Sequence, residues 1–206
     1  MIRNSTFKKT NQFYNLLYLP QSAFLFGRRR LINNIPLMRN GSYQILEVGC
    51  GSGKNIGMLA NAFPKAIITG LDASRRALEK ANKRNLLVGN RVDLYPVHYN
   101  QDTNLDNQFD LILFSYFLSG IQTDWKSIIE KAKKDLKPGG LIGIIDFHYS
   151  NYDQFNTFMK LRNVDVTRNI LPYVSSRFDE EYCRVKSSCV GFWQFFIFIG
   201  STVPSL

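Results

Sequence analysis

The first acidic side chain of this 206-residue chain is Glu47: no Asp or Glu stands among residues 1–46, which hold seven basic ones, Arg3, Lys8, Lys9, Arg28, Arg29, Arg30 and Arg39. Cysteine is scarce as well. Cys50, Cys183 and Cys189 match neither a disulfide framework nor a zinc-ligand spacing, so they point to a reducing compartment. With only two histidines, His98 and His148, no metal-ligand set is legible. Long apolar runs are missing too. Thr10 to Gly27 is uncharged but interrupted by Asn11, Gln12, Asn15, Pro20 and Gln21, and Phe192 to Ile199 is about half the length of a membrane span. That second run is rich in aromatic and β-branched residues and reads as a buried strand. The N-terminus lacks the compact apolar stretch of a secretory signal, and its acid-free, Arg-bearing start is only partly like a transit peptide. The expected location is cytoplasmic, with peripheral contact at a membrane as an added expectation.

What is present describes a globular chain, with 45% hydrophobic, 14% aromatic and 20% charged residues. Its net charge of +10 opens three partner classes: nucleic acid, an anionic membrane surface or an acidic small molecule. Most of that charge precedes Glu47, and the remainder carries only +3.

From residue 44 onward, short apolar runs alternate with helical patterns. Strands are predicted at 44–49, 66–72, 92–99, 109–114 and 141–148, the third of them holding His98. Helices are predicted near 54–62, after an N-capping Ser74, over 125–136 and near 152–161. Such alternation implies βαβ units with right-handed crossovers. Two strands near 182–190 and 192–199 meet at Gly191 with no room for a helix, so they are expected to pair antiparallel at the sheet edge. The predicted fold is α/β: a doubly wound, Rossmann-like, mostly parallel seven-stranded sheet with helices on both faces and an antiparallel C-terminal hairpin. Residues 1–43 are expected to form a helical extension capping the active site, and 44–206 the main domain.

Glu47-Val48-Gly49-Cys50-Gly51-Ser52-Gly53 lies at a strand-to-helix turn, where open sheets bind ligands. The glycines are spaced two and two. A dinucleotide fingerprint would need glycine at position 54, which is Lys54, and no Gly-Lys-Ser/Thr of a phosphate-clamping loop follows. On its own the loop reads equally as a tight βα turn. Asp72, at the tip of the next strand, sits where a carboxylate accepts both hydroxyls of a ribose and disfavours a 2′-phosphate; its plainer reading is a helix cap.

Glu47–Gly53 followed by Gly70-Leu71-Asp72 resembles motifs I and II of the class I S-adenosylmethionine-dependent methyltransferases. Phe109–Ser115 resembles their fourth motif, and Leu136-Lys137-Pro138-Gly139-Gly140 the turn before their fifth strand. The resemblance implies S-adenosylmethionine as cofactor, with Gly49, Gly51 and Gly53, and Cys50 between them, along its methionine part. It implies Glu47 at the ammonium end, Asp72 at the ribose and Ala73 beside the adenine. Asp102 would meet the adenine amino group, although Gln101-Asp102-Thr103 departs from the common Gly-Asp-Ala; otherwise it is a solvated loop carboxylate. Ser115 and Tyr116 fall where the fourth strand opens toward the transferred methyl.

Methyl transfer from a sulfonium is an in-line displacement needing proximity, an unprotonated amine or, for a hydroxyl or carbon acid, a base. Tyr116 and His148 are the catalytic candidates, beside Asp146 and Tyr149; a strand-end His also serves as a structural hydrogen-bonder. Ser115-Tyr116-Phe117-Leu118 stands where an Asn-Pro-Pro-Tyr-like run would mark methylation of exocyclic nucleobase amines. Tyr116, Phe117, Phe147, Tyr149, Tyr152, Phe155 and Phe158 gather on the substrate side, either to receive a cation or to pack the last helix onto the sheet. Phe26-Gly27-Arg28-Arg29-Arg30 is similar to the N-terminal helix of lipid-headgroup and quinone-type methyltransferases; Asp146-Phe147-His148 and Leu171-Pro172-Tyr173 carry the same likeness, nearest to the diacylglyceryl-homoserine N-methyltransferases. This implies a small-molecule or lipid substrate with amine N-methylation favoured. RNA methylation through the basic N-terminus and a non-catalytic S-adenosylmethionine-binding module are the alternatives. Arg28–Arg30 also read as a solvated helix end.

Overall fold

The computed structural model describes residues 22–85, 88–105, 108–122, 124–188 and 191–202, with 22–26 as backbone alone. Arg3, Lys8, Lys9, Cys189 and most of the stretch from Thr10 to Gly27 lie outside the described residues.

Helix α1 (Ser22–Asn33) leads into β1 (Gln44–Val48), α2 (Lys54–Ala62), β2 (Ile67–Leu71), α3 (Arg75–Arg84), β3 (Val92–Tyr95) and β4 (Phe109–Ser115). After a short 3₁₀ turn at Leu118–Gly120 come α4 (Trp125–Asp135), β5 (Leu136–Tyr149), α5 (Asp153–Leu161), α6 (Ile170–Ser175), β6 (Asp179–Ser187) and β7 (Gln194–Ser201). The seven strands form one sheet in the order β3-β2-β1-β4-β5-β7-β6. Strands β1 to β5 pair in parallel; β7 runs antiparallel to both β5 and β6. The chain order reverses between β1 and β4, and that switch opens a crevice beyond their carboxyl ends.

Local chemistry explains the elements. Ser74 Oγ accepts the Ala77 N–H at 3.2 Å and starts α3 as expected. The Asp124 carboxylate takes the N–H groups of Lys126 and Ser127 and caps α4. Strands β4, β5 and β7 are near-continuous apolar runs because helices cover both faces. One core layer joins Leu31 and Ile32 of α1, Ile56 and Leu59 of α2, Leu78 of α3 and Phe155 of α5 to Ile45, Leu111, Leu113 and Ile145 of the sheet. The other joins Ile128, Ile129 and Ala132 of α4, and Ile170 and Val174 of α6, to Leu46, Val48, Ile112, Ile144 and Phe196. Each of the larger side chains among them, taken from water, stabilises the fold by about 1.5–3 kcal/mol.

Several boundaries differ from expectation. β3 ends at Tyr95, so His98 lies beyond it. α4 stops at Asp135 and β5 begins at once at Leu136, opposite Phe109, with a register shift before Leu111 pairs with Leu141. Lys137 Nζ reaches Asp110 Oδ2 at 2.8 Å and helps hold this early segment against β4. Helix α6 is unannounced by the sequence because Pro172 sits inside it; in a six-residue helix that proline is still in the first turn, where its missing N–H has no role. The hairpin strands are shifted: β6 starts at Asp179, and β7, the later strand, is the inner one.

Candidate functional site

The crevice is built around the turn after β1. Gly49 and Cys50 N–H groups donate to Leu71 O at 2.8 and 2.9 Å, tying the turn to the end of β2. Gly49, Gly51 and Gly53 have φ of 70°, 53° and 72°, a region that favours glycine. They are glycines for different reasons. A Cβ on Gly49 would lie 2.3 Å from the Phe117 ring, and one on Gly53 2.4 Å from Asn85 Nδ2. A Cβ on Gly51 would meet nothing within 4 Å. Two of the three serve internal packing, then, and Gly51 presents bare backbone to open space.

Asp72 follows β2. Its carboxylate accepts the Gly51 N–H at 2.8 Å through Oδ2 and the Ser74 N–H at 2.9 Å through Oδ1. An ionised carboxylate offers about four acceptor positions, so two are left for a ligand while the side chain pins the loop to the start of α3. Buried Asn85 reinforces the other end, donating to Gly53 O at 3.2 Å and Ala81 O at 2.8 Å. Ala73 is exposed beside Asp72.

A cavity of about 280 Å³ opens on this loop, lined by Arg28, Glu47, Gly49, Cys50, Gly51, Ser52, Lys54 and Asn55. Glu47 is 1% exposed. Asn55 Nδ2 donates to its Oε1 at 2.6 Å, and Oε2 has no hydrogen-bond partner. Burial pushes the carboxyl up to about 8, against the opposing pull of Asn55 and Arg28. Cys50 is buried, and burial pushes its thiol up and out of the reactive range.

Arg28 reaches this cavity from α1, not from the sheet. Its guanidinium lies 5.6 Å from the centroid of the Tyr116 ring, and burial lowers its basicity while Glu47 supports it. Tyr116 itself has φ 52°, a strained conformation for a residue with a side chain. Its N–H donates to Ile145 O at 2.8 Å, and its ring meets Phe147 edge-on at 5.2 Å. Burial, with Asp146 nearby, pushes its phenol further up, so the hydroxyl is neutral at physiological pH. Ser115, at the end of β4, is buried with an unpartnered Oγ. By strand alternation it faces the same side as Leu111 and Leu113, the Glu47 side.

The other predicted residues are dispersed. His148 lies on the opposite side of β5 from Phe147, its ring 6.3 Å from Phe196, and is not brought to Tyr116. Asp146, wholly buried, accepts the N–H groups of Phe147 at 2.8 Å and Ser119 at 3.2 Å; burial pushes it up to about 6. Asp102 is exposed in a turn, its N–H donating to Asn100 Oδ1, and does not line the cavity. Most substrate-side aromatics pack: Phe155 stacks on Trp193 at 5.2 Å, and Phe147 touches both. Tyr149 and Tyr152 are 48% and 45% exposed. Asn55, Asn85 and Arg28 are the contributors that sequence reasoning did not single out for the site. Arg28 had a signal, the Arg28–Arg30 run directly after Gly27, but which of the three turns inward is not legible from it.

Residues 46–142 match the family model described as a methyltransferase domain. Over just under half of its length, then, the chain is similar to methyltransferases. The ubiquinone/menaquinone biosynthesis C-methyltransferase of Desulfotalea psychrophila is 32% identical over 106 residues, 52% of this chain and 42% of that protein. The ribosomal RNA small subunit methyltransferase C of Actinobacillus pleuropneumoniae is also 32% identical over 106 residues, 50% of this chain and 32% of that one. The chain thus spans less than half the length of either relative. The crystal structure of the N-methyltransferase NodS from Bradyrhizobium japonicum in complex with S-adenosyl-L-homocysteine shares the fold, with a TM-score of 0.68, 20% identity and 87% of each chain covered. No helix among the described residues is long and apolar enough to cross a membrane.

Proposed function

We propose that the protein binds S-adenosylmethionine in the crevice beyond β1 and β2 and transfers its methyl group to a small molecule or lipid headgroup, with an amine nitrogen as the favoured acceptor. The observation that carries this is the buried, unpartnered Oε2 of Glu47 in the cavity that the bare backbone of Gly51 also lines, with Asp72 at the tip of the adjacent strand. A buried lone oxygen of this kind suits the ammonium of an amino acid, and the two open acceptor positions of Asp72 suit a pair of ribose hydroxyls. The cofactor, when bound, supplies an electrophilic sulfonium methyl. Residues of the chain hold and orient: Glu47 and Asp72 grip the two ends, and Ser115 and Tyr116 border the approach of the acceptor. Neutral Tyr116 can orient an amine by hydrogen bonding but takes no proton from it, so the amine must arrive unprotonated.

Exposed Tyr149 and Tyr152 near the end of β5 support a substrate that gains cationic character, since ring faces attract such groups by about 0.5–2 kcal/mol. The basic, acid-free N-terminal segment supports an anionic surface as the place where substrate is met. RNA is the second reading, favoured by that same charge and by the relative named for ribosomal RNA. Calorimetry with S-adenosylhomocysteine, followed by a labelled-methyl assay on lipid, quinone, amine and RNA pools, tests the proposal. Label in an amine or lipid is the expected result; label confined to RNA overturns the substrate class, and failure to bind the cofactor overturns the function.

A further inference from the structure

A second cavity, of about 670 Å³, lies between α1 and α2, at the end of α2 remote from the glycine loop. Lys54 and Asn55 start α2 beside Glu47, whereas Met58 and Asn61 of its later turns line the second cavity. Its volume falls in the range of small-molecule sites, about 300–1,000 Å³. Arg29, Asn33, Arg39, Asn40 and Asn61 make up its polar lining, with no carboxylate among them. That asymmetry begins in the sequence: Glu47 is the single acidic residue before Asp72, and it is buried at the other cavity.

Structural duties account for only part of this lining. Arg39 closes α1, its Nη2 donating to Asn33 O at 3.2 Å, and its guanidinium lies 5.0 Å from the centroid of the Phe63 ring. Arg91 Nη1 donates to Phe63 O at 3.5 Å and Ala66 O at 3.2 Å, which satisfies the exit of α2. Arg29 has no such duty. It is exposed, and among the described residues no ion pair or hydrogen bond engages its side chain. The carboxyl ends of α1 and α2 both lie here, and each carries about half a negative charge, which alone would repel an anion. Arg29 and Arg39 bring two full positive charges, and exposed Lys65 directly follows Pro64 of the lining, so the cations prevail.

We infer that this cavity is a second ligand site, separate from the methyl-transfer crevice, for the phosphate of an organic phosphomonoester. A carboxylate would pair with one guanidinium and leave the other unanswered. A phosphomonoester, with about 1.5–2 negative charges and three terminal oxygens, takes both. Asn33, Asn40 and Asn61 offer amides to the hydroxyls of the attached body, above an apolar floor of Ile32 and Met58. A soluble glycerol or sugar phosphate and the headgroup of phosphatidic acid share this chemistry. For a lipid, Met38 is an apolar foothold: it is 79% exposed in the adjoining turn, which the Gly41 N–H closes onto Met38 O at 3.0 Å.

Calorimetry with glycerol 3-phosphate, and flotation with phosphatidylcholine vesicles with and without phosphatidic acid, test the inference in the presence of S-adenosylhomocysteine. Arg29→Gln alters a side chain without partners, so it should keep the wild-type melt and weaken the bound monoester about 10- to 100-fold. Lys134→Gln removes the same charge from an exposed site on α4 and should leave affinity within about twofold. Binding of either monoester, lost in Arg29→Gln alone, sustains the site, and which of the two binds tells a soluble ligand from a lipid. No binding of either, equal losses in Arg29→Gln and Lys134→Gln, or displacement of the monoester by S-adenosylhomocysteine overturns the inference. So does a protein that takes single-stranded RNA and neither monoester. Failure of S-adenosylhomocysteine to bind would count against the cofactor reading alone, because the Arg29 comparison stands without it.

Discussion

At pH 7, binding of S-adenosylhomocysteine should drive close to one proton out of the protein, and Glu47 is its source. Burial holds this carboxyl at about 8, so in the free protein about nine molecules in ten carry it protonated at pH 7. An ammonium delivered to Oε2 favours the ionised form, so the proton must leave as the ligand enters. Ionising the group against a one-unit deficit costs about 1.4 kcal/mol, which is about tenfold in affinity. Affinity should accordingly rise about tenfold between pH 6 and 7 and about fivefold more by pH 8, where Glu47 is half ionised beforehand, and flatten above that. At still higher pH the ligand's own α-amino group loses its proton and reverses the trend. Calorimetry at pH 7 in phosphate and in imidazole, buffers of low and high ionisation enthalpy, reads the released proton as a difference in apparent binding enthalpy. Glu47→Gln should abolish that difference and flatten the acidic limb. Equal apparent enthalpies in the two buffers for the wild type would refute the assignment of the ammonium to a protonated, buried Glu47.

The same carboxyl should leave its mark on stability. Its pKa is higher folded than unfolded, so the ligand-free protein should lose stability as pH rises from about 4.5 to about 8, at up to about 1.4 kcal/mol per pH unit. Denaturant melts of wild type and Glu47→Gln across that window check the slope. The glycines of the loop should separate packing from ligand access. Gly51→Ala, with φ 53° and open space around it, should cost about 1 kcal/mol while sharply weakening S-adenosylhomocysteine; Gly49→Ala, driven into the Phe117 ring, should destabilise by about 1–3 kcal/mol as well. Paired melts and calorimetry distinguish them. Asp72→Ala removes the acceptor of two backbone N–H groups, so a cooperative melt lowered by about 2 kcal/mol and loss of cofactor binding are expected, and unchanged affinity would show the ribose lies elsewhere. Trp193→Ala should remove about 3–5 kcal/mol, because it empties the stack on Phe155 at the buried end of α5.

The regions legible in the sequence were those governed by neighbours along the chain. Helix α2 runs over Lys54–Ala62 as its apolar spacing predicts, and Ser74 caps α3 because an N-cap interacts only with the next turn. The glycine loop and Asp72 were legible for a related reason: backbone freedom and a strand-tip position are local properties. Legibility weakened where local and tertiary preferences disagreed. Lys137-Pro138-Gly139-Gly140 reads as a turn, yet β5 begins at Leu136, because pairing with Phe109 and the contact of Lys137 with Asp110 extend the strand. His148 and Phe147 are adjacent in sequence and equally plausible beside a substrate, but the period-two alternation of a strand sends them to opposite faces.

By itself, then, the sequence determined the alternation that makes a doubly wound sheet, the bare loop after β1 and the carboxylate at the tip of β2. All of these follow from hydrophobic period, glycine conformation and residue spacing over a dozen or two residues. Tertiary structure decided what stands around that loop. Burial turned Glu47 from an ordinary carboxylate into one held near 8, and the close approach at Gly27 carried Arg28 from a basic run into the same cavity. Packing against Phe196 kept His148 away from it. Those outcomes depend on which faces meet and how tightly, and contacts between residues distant in the chain fix that only when α1 closes on the sheet.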